Sequence, residues 1–239
     1  MGISQQIGAS SLIKAGVCTS ATRPATPYEG QVIFETDTDK LLVWNGTAWV
    51  IPNSPAQNPG GLELVTPTSV AGTGVTQSGA TVLFSGASSV SVNGCFTSLY
   101  DHYKIIVNNF GSVVSFTRWR LRAGGTDAVG ANYFRYGFTT VYTSGSLTIY
   151  NGGTESSFVP CTSYGNSATG SGTSELFVSM PFANNAYTMT STDCNDSNAG
   201  QIYKLNGTVN ATTSFDGFTI YPNGGTITGT LQVFGYRKS

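Results

Sequence analysis

From residue 81 to the end, no window of about twelve residues keeps a helical period. Short stretches of alternating apolar and polar residues follow one another instead, each cut off by glycine-rich turns. Residues 82–84, 89–92, 103–108, 115–122, 133–141 and 146–150 read as strands. So do 157–159, 175–180, 187–190, 202–205, 217–221 and 230–236. Turns such as Asn151-Gly152-Gly153 and Asn223-Gly224-Gly225 separate them at intervals of roughly 10–15 residues, the rhythm of an antiparallel sandwich. The expected fold class is all-β, with a jelly-roll-like antiparallel β-sandwich over residues 81–239. A stretch of that length buries a real core between two sheets. The strict internal repeat that a β-helix requires is not in the sequence.

The first third reads differently. Residues 1–27 scatter Ile3, Ile7, Leu12, Ile13 and Val17 among small and polar residues without a clean period, as expected of a segment that orders only against a partner. Residues 28–52 spell a three-stranded meander, with Asn45-Gly46 supplying the positive-φ pair of a tight hairpin. Phe34, Trp44 and Trp49 are its main apolar mass. So small a unit hides little surface alone. Residues 53–80 carry Pro55, Pro59, Gly60, Gly61 and Pro67 and read as an extended connector, with a short strand at 62–65.

The stretch YEGQVIFETDTDKLLVWNGTAWVI, with its Pro24 and Pro27 lead-in, resembles a short β-module found near the start of tail-fibre and other accessory proteins of tailed-bacteriophage virions. The likeness covers residues 23–52. More weakly, YDHYKIIVNN and the closing GTLQVFGYRKS resemble strands of small β-sandwich domains in phage fibre and decoration proteins. What the resemblance implies is a virion protein anchored through residues 1–27, with the sandwich facing outward. It also implies a homotrimer, whose axis is expected to bury Phe34, Trp44 and Trp49 from three copies.

Charge narrows the partners. Only 10% of residues are charged, against about 25% in an average soluble protein, and the net charge is −1. Nucleic-acid binding, which needs a basic surface, is not expected, nor is a polybasic membrane contact. No stretch is apolar for long enough to span a bilayer. The first residues lack the charged and apolar regions of a signal peptide, so synthesis in a host cytoplasm and residence in the virion are the expectation.

Chemistry-bearing residues are few. A single histidine, His102, and four dispersed cysteines, Cys18, Cys95, Cys161 and Cys194, form no zinc pattern, and the thiols are expected to be free. No cofactor, metal or catalytic motif is expected, and the protein reads as a non-enzyme. Asp193 and Asp196 read as an Asx-rich loop. Arg118, Arg120 and Arg122 share one strand face, opposite Trp119 and Leu121. That ladder suits pairing with nearby acids, a subunit contact, or an acidic sugar. Tyr133, Tyr136 and Tyr150 are candidate contacts for host-surface polysaccharide, their rings suited to the apolar face of a hexose, although aromatic residues also serve ordinary strands.

Two fibre-like roles follow: a tail fibre or spike that binds host glycans, or a head-fibre, decoration or cement protein of the capsid. A secreted carbohydrate-active protein is a third and weaker reading, for want of a signal peptide and a catalytic cluster.

Overall fold

The computed structural model describes residues 15–52, 61–158, 163–164, 171–196 and 200–238, and among them all regular structure is β. The chain divides into two compact units, Met1–Pro59 and Gly60–Ser239.

In the first unit four strands lie side by side in chain order: β1 (Gly16–Cys18), β2 (Val32–Glu35), β3 (Lys40–Trp44) and β4 (Trp49–Val50). β1 is parallel to β2 and the other pairs are antiparallel. Asn45 builds the β3–β4 turn. Its Oδ1 accepts the Thr47 and Ala48 amides at 3.0 and 2.8 Å, and Gly46 takes a φ of 91° that a side chain would resist. The expected three-stranded meander thus gains a strand from the segment 1–27, because β1 pairs an edge of β2 that would otherwise stay open. Arg23 and Ser20 of that segment also hold Glu35 and Asp37. Residues 1–14 lie outside the described residues.

Alternation gives this sheet two unlike faces. Ile33, Leu42 and Glu35 are buried on one. The other carries Val17, Phe34 and Leu41 in one cross-strand row and Val32, Val43 and Val50 in the next, every paired position apolar. Phe34 pairs with Leu41, and Trp44 lies an odd number of residues further along β3, so Trp44 points the other way. Trp44 and Trp49 pack edge to face at 5.6 Å on the side opposite Phe34. The three aromatic residues expected around one axis are therefore split between two faces.

The second unit begins inside the expected connector. Residues 53–60 lie outside the described residues, but the rest of that stretch forms β5 (Leu62–Val65), β6 (Ser69–Ala71) and β7 (Val75–Ser78). Gly72 and Gly74, with φ of 136° and 74°, reverse the chain where a Cβ would meet the carbonyl oxygens of Ser89 and Ser85. Turn residues alone resemble a linker; here each turn feeds a strand that a neighbour accepts.

The remaining strands are β8 (Thr81–Ala87), β9 (Val90–Asn93), β10 (Tyr100–Gly111), β11 (Ser115–Ala123), β12 (Thr126–Asp127), β13 (Tyr133–Val141), β14 (Leu147–Glu155) and β15 (Ser163–Tyr164). After them come β16 (Gly172–Ser179), β17 (Thr188–Asp196), β18 (Gln201–Val209), β19 (Gly217–Pro222) and β20 (Ile227–Arg237). A ten-stranded sheet runs β14-β13-β18-β17-β16-β10-β20-β8-β7, with β5 also on β20. A six-stranded sheet runs β12-β11-β19-β9-β6, with β15 on β11. Pairing within both is antiparallel.

These two sheets form the β-sandwich. Tyr103, Ile105 and Val107 of β10, Leu176 and Val178 of β16, and Leu231 and Val233 of β20 point inward from the larger sheet. Trp119 and Leu121 of β11, Phe218 and Ile220 of β19, and Val90 and Val92 of β9 answer them in one core. Phe96 joins the layers, its ring 4.7 Å from Tyr103 and 5.8 Å from Phe218.

Candidate functional site

The arginine ladder lies on the outer face of β11, and each guanidinium is already engaged. Arg118 Nε donates to Asn223 Oδ1 at 3.0 Å, and its head lies over the Phe116 ring. Arg120 Nε donates to the Ser156 carbonyl at 3.0 Å, with the guanidinium 4.7 Å from the Tyr221 ring centre. Arg122 is the most enclosed: it pairs with Asp127 and donates to Asn93, Ser91 and Thr219. Thr219 Oγ1 in turn donates to Asp127 at 2.7 Å. Of the roles open to the ladder, pairing within the fold is the one the contacts fit. It clamps β11 to β12 and β19 on either side and reaches β9 one strand further on.

Tyr133 is core. Its ring is 1% exposed and packs edge to face on Phe158 at 4.8 Å. Its hydroxyl accepts the Leu121 amide at 3.1 Å and donates to the Ala128 carbonyl at 2.8 Å. Burial pushes the phenol up to about 12. Enclosed in the core with its hydroxyl already bonded, Tyr133 is withdrawn as a surface contact. Tyr150 is half-buried, 6.2 Å from the Tyr203 ring. His102, at the start of β10, is exposed, stacks on Phe177 and shares a 3.1 Å hydrogen bond with Ser179. Asp193 is not in a loop: β17 continues through it, and its carboxylate takes Lys204 Nζ at 2.8 Å on the sheet surface.

Tyr136 stands apart. It is 63% exposed and lines an open groove of about 790 Å3 on the outer face of the larger sheet. The register of β13 with its neighbours puts Asn206 of β18 directly opposite it on one side and Asn151 of β14 on the other. Opposed side chains in such a ladder have Cβ atoms about 4.5–5.5 Å apart. An exposed aromatic ring is thus flanked by two amides. In the adjacent row Phe134 faces Thr208, with Met189 next across the sheet. Gly153 leaves room for Phe134, whose ring a Cβ would approach to 2.8 Å. Among the lining residues Arg135 alone carries charge, and Glu155 lies 3.7 Å from it.

This groove supplies a flat apolar surface, amide donors and acceptors beside it, and little charge. The chemistry it suits is recognition of a neutral polyhydroxylated ligand. The sequence points to Tyr136, but not to the strand pairing that sets Asn151 and Asn206 on either side of it. Parity along YFRYGFTTV is the signal that finds Phe134, since Phe134 and Tyr136 share a face that Tyr133 cannot. Among the described residues no cluster of His, Cys, Asp and Glu is arranged to hold a metal ion. No protein-family model matches this sequence, and the curated proteins contain no match to it.

Proposed function

We propose that the protein is a structural component of a tailed-phage virion, acting as a tail-fibre or spike-type protein that binds neutral glycans of the host surface through the Tyr136 groove. The observation that carries this reading is the ring of Tyr136 held between Asn151 and Asn206 on an exposed sheet face. A hexose lays its C–H face on such a ring and shares its hydroxyls with the flanking amides. The engaged arginines favour a neutral sugar over an acidic one.

The first unit serves attachment. Its face of Val17, Val32, Phe34, Leu41, Val43 and Val50 is apolar across every paired position, the kind of surface that another protein covers. Packing of three copies through that face, in place of the split aromatic set, makes the homotrimer, and residues 1–27 fix it to the particle. The jelly-roll-like sandwich then faces outward, binding without catalysis. Three shallow sites on one trimer add avidity to a weak contact.

Binding of the whole protein to host polysaccharide, followed by titration calorimetry at low and high salt, tests the reading. Affinity is expected to be nearly independent of salt, because stacking and amide hydrogen bonds are screened little compared with ion pairs. Absence of binding at any salt concentration, together with capture by empty capsids, would transfer the protein to the head-fibre or decoration class.

A further inference from the structure

The ten-stranded sheet ends on β7 at one side and β14 at the other, and the two edges are built differently. β7 is 4 residues long and polar after Val75. β14 runs for 9 residues, holds no proline and carries no charge before Glu155. Leu147 and Ile149 are 62% and 61% exposed, and Thr148 between them is exposed too, so neither face of this half of the strand is covered. The Val141 amide donates to the Ser146 carbonyl. Main-chain direction alternates along a ladder, so Ser146 and Thr148 face β13 while Leu147 and Ile149 turn their N–H and C=O groups outward.

A long edge of that kind is ordinarily shortened, charged, kinked or covered, because its open main-chain groups pair with another strand. The far half of β14 is interrupted in this way, by a register shift opposite Tyr133 and Arg135 and by Thr154 at a φ of 61°. Among the described residues no such device falls on 146–150.

We propose that a second copy of this chain occupies the edge, β14 against β14, antiparallel and centred on Thr148. That register sets Leu147 against Ile149 of the second copy, Ser146 against Tyr150, and Thr148 against itself. The outward main-chain groups of Leu147 and Ile149 make the hydrogen bonds. Centring on Ile149 instead would keep one apolar pair, Ile149 on itself, but set both copies of Leu147 against Asn151. Charge favours a copy of the same chain: residues 143–154 are uncharged, so self-pairing opposes no like charges. The contact is isologous, with a two-fold axis normal to the joined sheet, and is separate from the three-fold packing proposed for the first unit: it joins a copy in one trimer to a copy in another. It brings two Tyr136 grooves onto one continuous face, whatever those grooves bind.

Full-length Thr148→Cys tests the register. A non-hydrogen-bonded antiparallel pair holds its Cα atoms about 4.5 Å apart, inside the range a disulfide spans. Mild oxidation should yield a covalent dimer from T148C and none from Ser144→Cys, an exposed neighbour, with the wild type as the background for the native thiols. Ile149→Lys should lower the solution mass at micromolar concentration while leaving thermal unfolding unchanged. A T148C chain that stays uncrosslinked, equal crosslinking through S144C, or an unchanged mass for I149K would overturn the pairing. Crosslinking of T148C to a different polypeptide in assembled particles would give the edge to that partner and equally overturn it.

Discussion

The two units face one task, hiding a sheet face from water, with unequal means. The sandwich sets two sheets against each other, and its core includes Trp119, Tyr103, Phe218 and Ile105, all fully enclosed. Among its described residues the first unit has one four-stranded sheet, and Ile33 and Leu42 are the only apolar side chains buried there. Beside them it encloses a charge. Glu35 takes the Arg23 guanidinium, accepts a 2.8 Å hydrogen bond from Thr38, and has its carboxyl held below the ordinary value by Arg23 first and Thr38 next. A layered core is stabilised by area removed from water. A thin unit leans on specific polar contacts and on whatever covers its open face.

That contrast can be broken first at Arg23. Arg23→Ala leaves Glu35 enclosed without its cation, and the first unit is expected to unfold while the sandwich stays intact. Trp44 and Trp49 report this in a Trp119→Phe background, where all tryptophan fluorescence comes from the first unit. Persistence of the native spectrum in Arg23→Ala would show that partner contacts, not the ion pair, hold the unit. Acid is the milder version of the same test. Because the folded carboxyl of Glu35 lies below its ordinary 4.5, the pair contributes fully above that pH. Its contribution falls away as pH drops toward the folded value. The fluorescence signal should be lost on acidification before the sandwich melts.

In the sandwich the largest effect falls on the core. Trp119→Ala should cost about 3–5 kcal/mol by removing a fully buried ring, read as a lower denaturant midpoint with the first unit unaffected. Tyr133→Phe keeps the ring and strands the Leu121 amide and Ala128 carbonyl, for about 1–3 kcal/mol, with glycan binding unchanged. Tyr136→Ala reverses that pattern: stability moves by less than about 0.5 kcal/mol, and binding to host polysaccharide is lost. Equal effects of Tyr133→Phe and Tyr136→Ala on binding would sink the assignment of the groove.

Much of this was legible in the residues. Eleven of the twelve strands read beyond residue 81 are present, with residues 133–141 coinciding with β13, while at 157–159 Phe158 makes only an isolated bridge to Trp119 and residue 159 lies outside the described residues. Parity also carried the arginine ladder, since Trp119 and Leu121 had to be core if the arginines were not. What escaped was long-range. Leu62–Val65 becomes part of the sandwich because β20 offers it an edge some 170 residues away in sequence, and no local pattern announces that. Residue type alone makes Tyr133 and Tyr136 equal candidates for a sugar contact, although an odd separation on a strand sends them to opposite faces. Asn151 and Asn206 meet at Tyr136 only through the pairing of three strands. The split of Phe34 from Trp44 and Trp49 was readable from parity, once the β2–β3 register was known.

The pairing of β5 with β20 has a mechanical side. Leu62 lies opposite Tyr236, and Glu63 takes the Arg237 guanidinium in two hydrogen bonds at 2.6 and 3.0 Å and the Tyr100 hydroxyl in a third at 2.7 Å. The chain therefore enters the sandwich beside the point where its last strand ends. A pull applied at Leu62 along the axis of β5 loads the strand lengthwise against β20. The β5–β20 hydrogen bonds then share tension in shear and do not peel open one by one, and the Glu63–Arg237 pair acts as a pin through the joint.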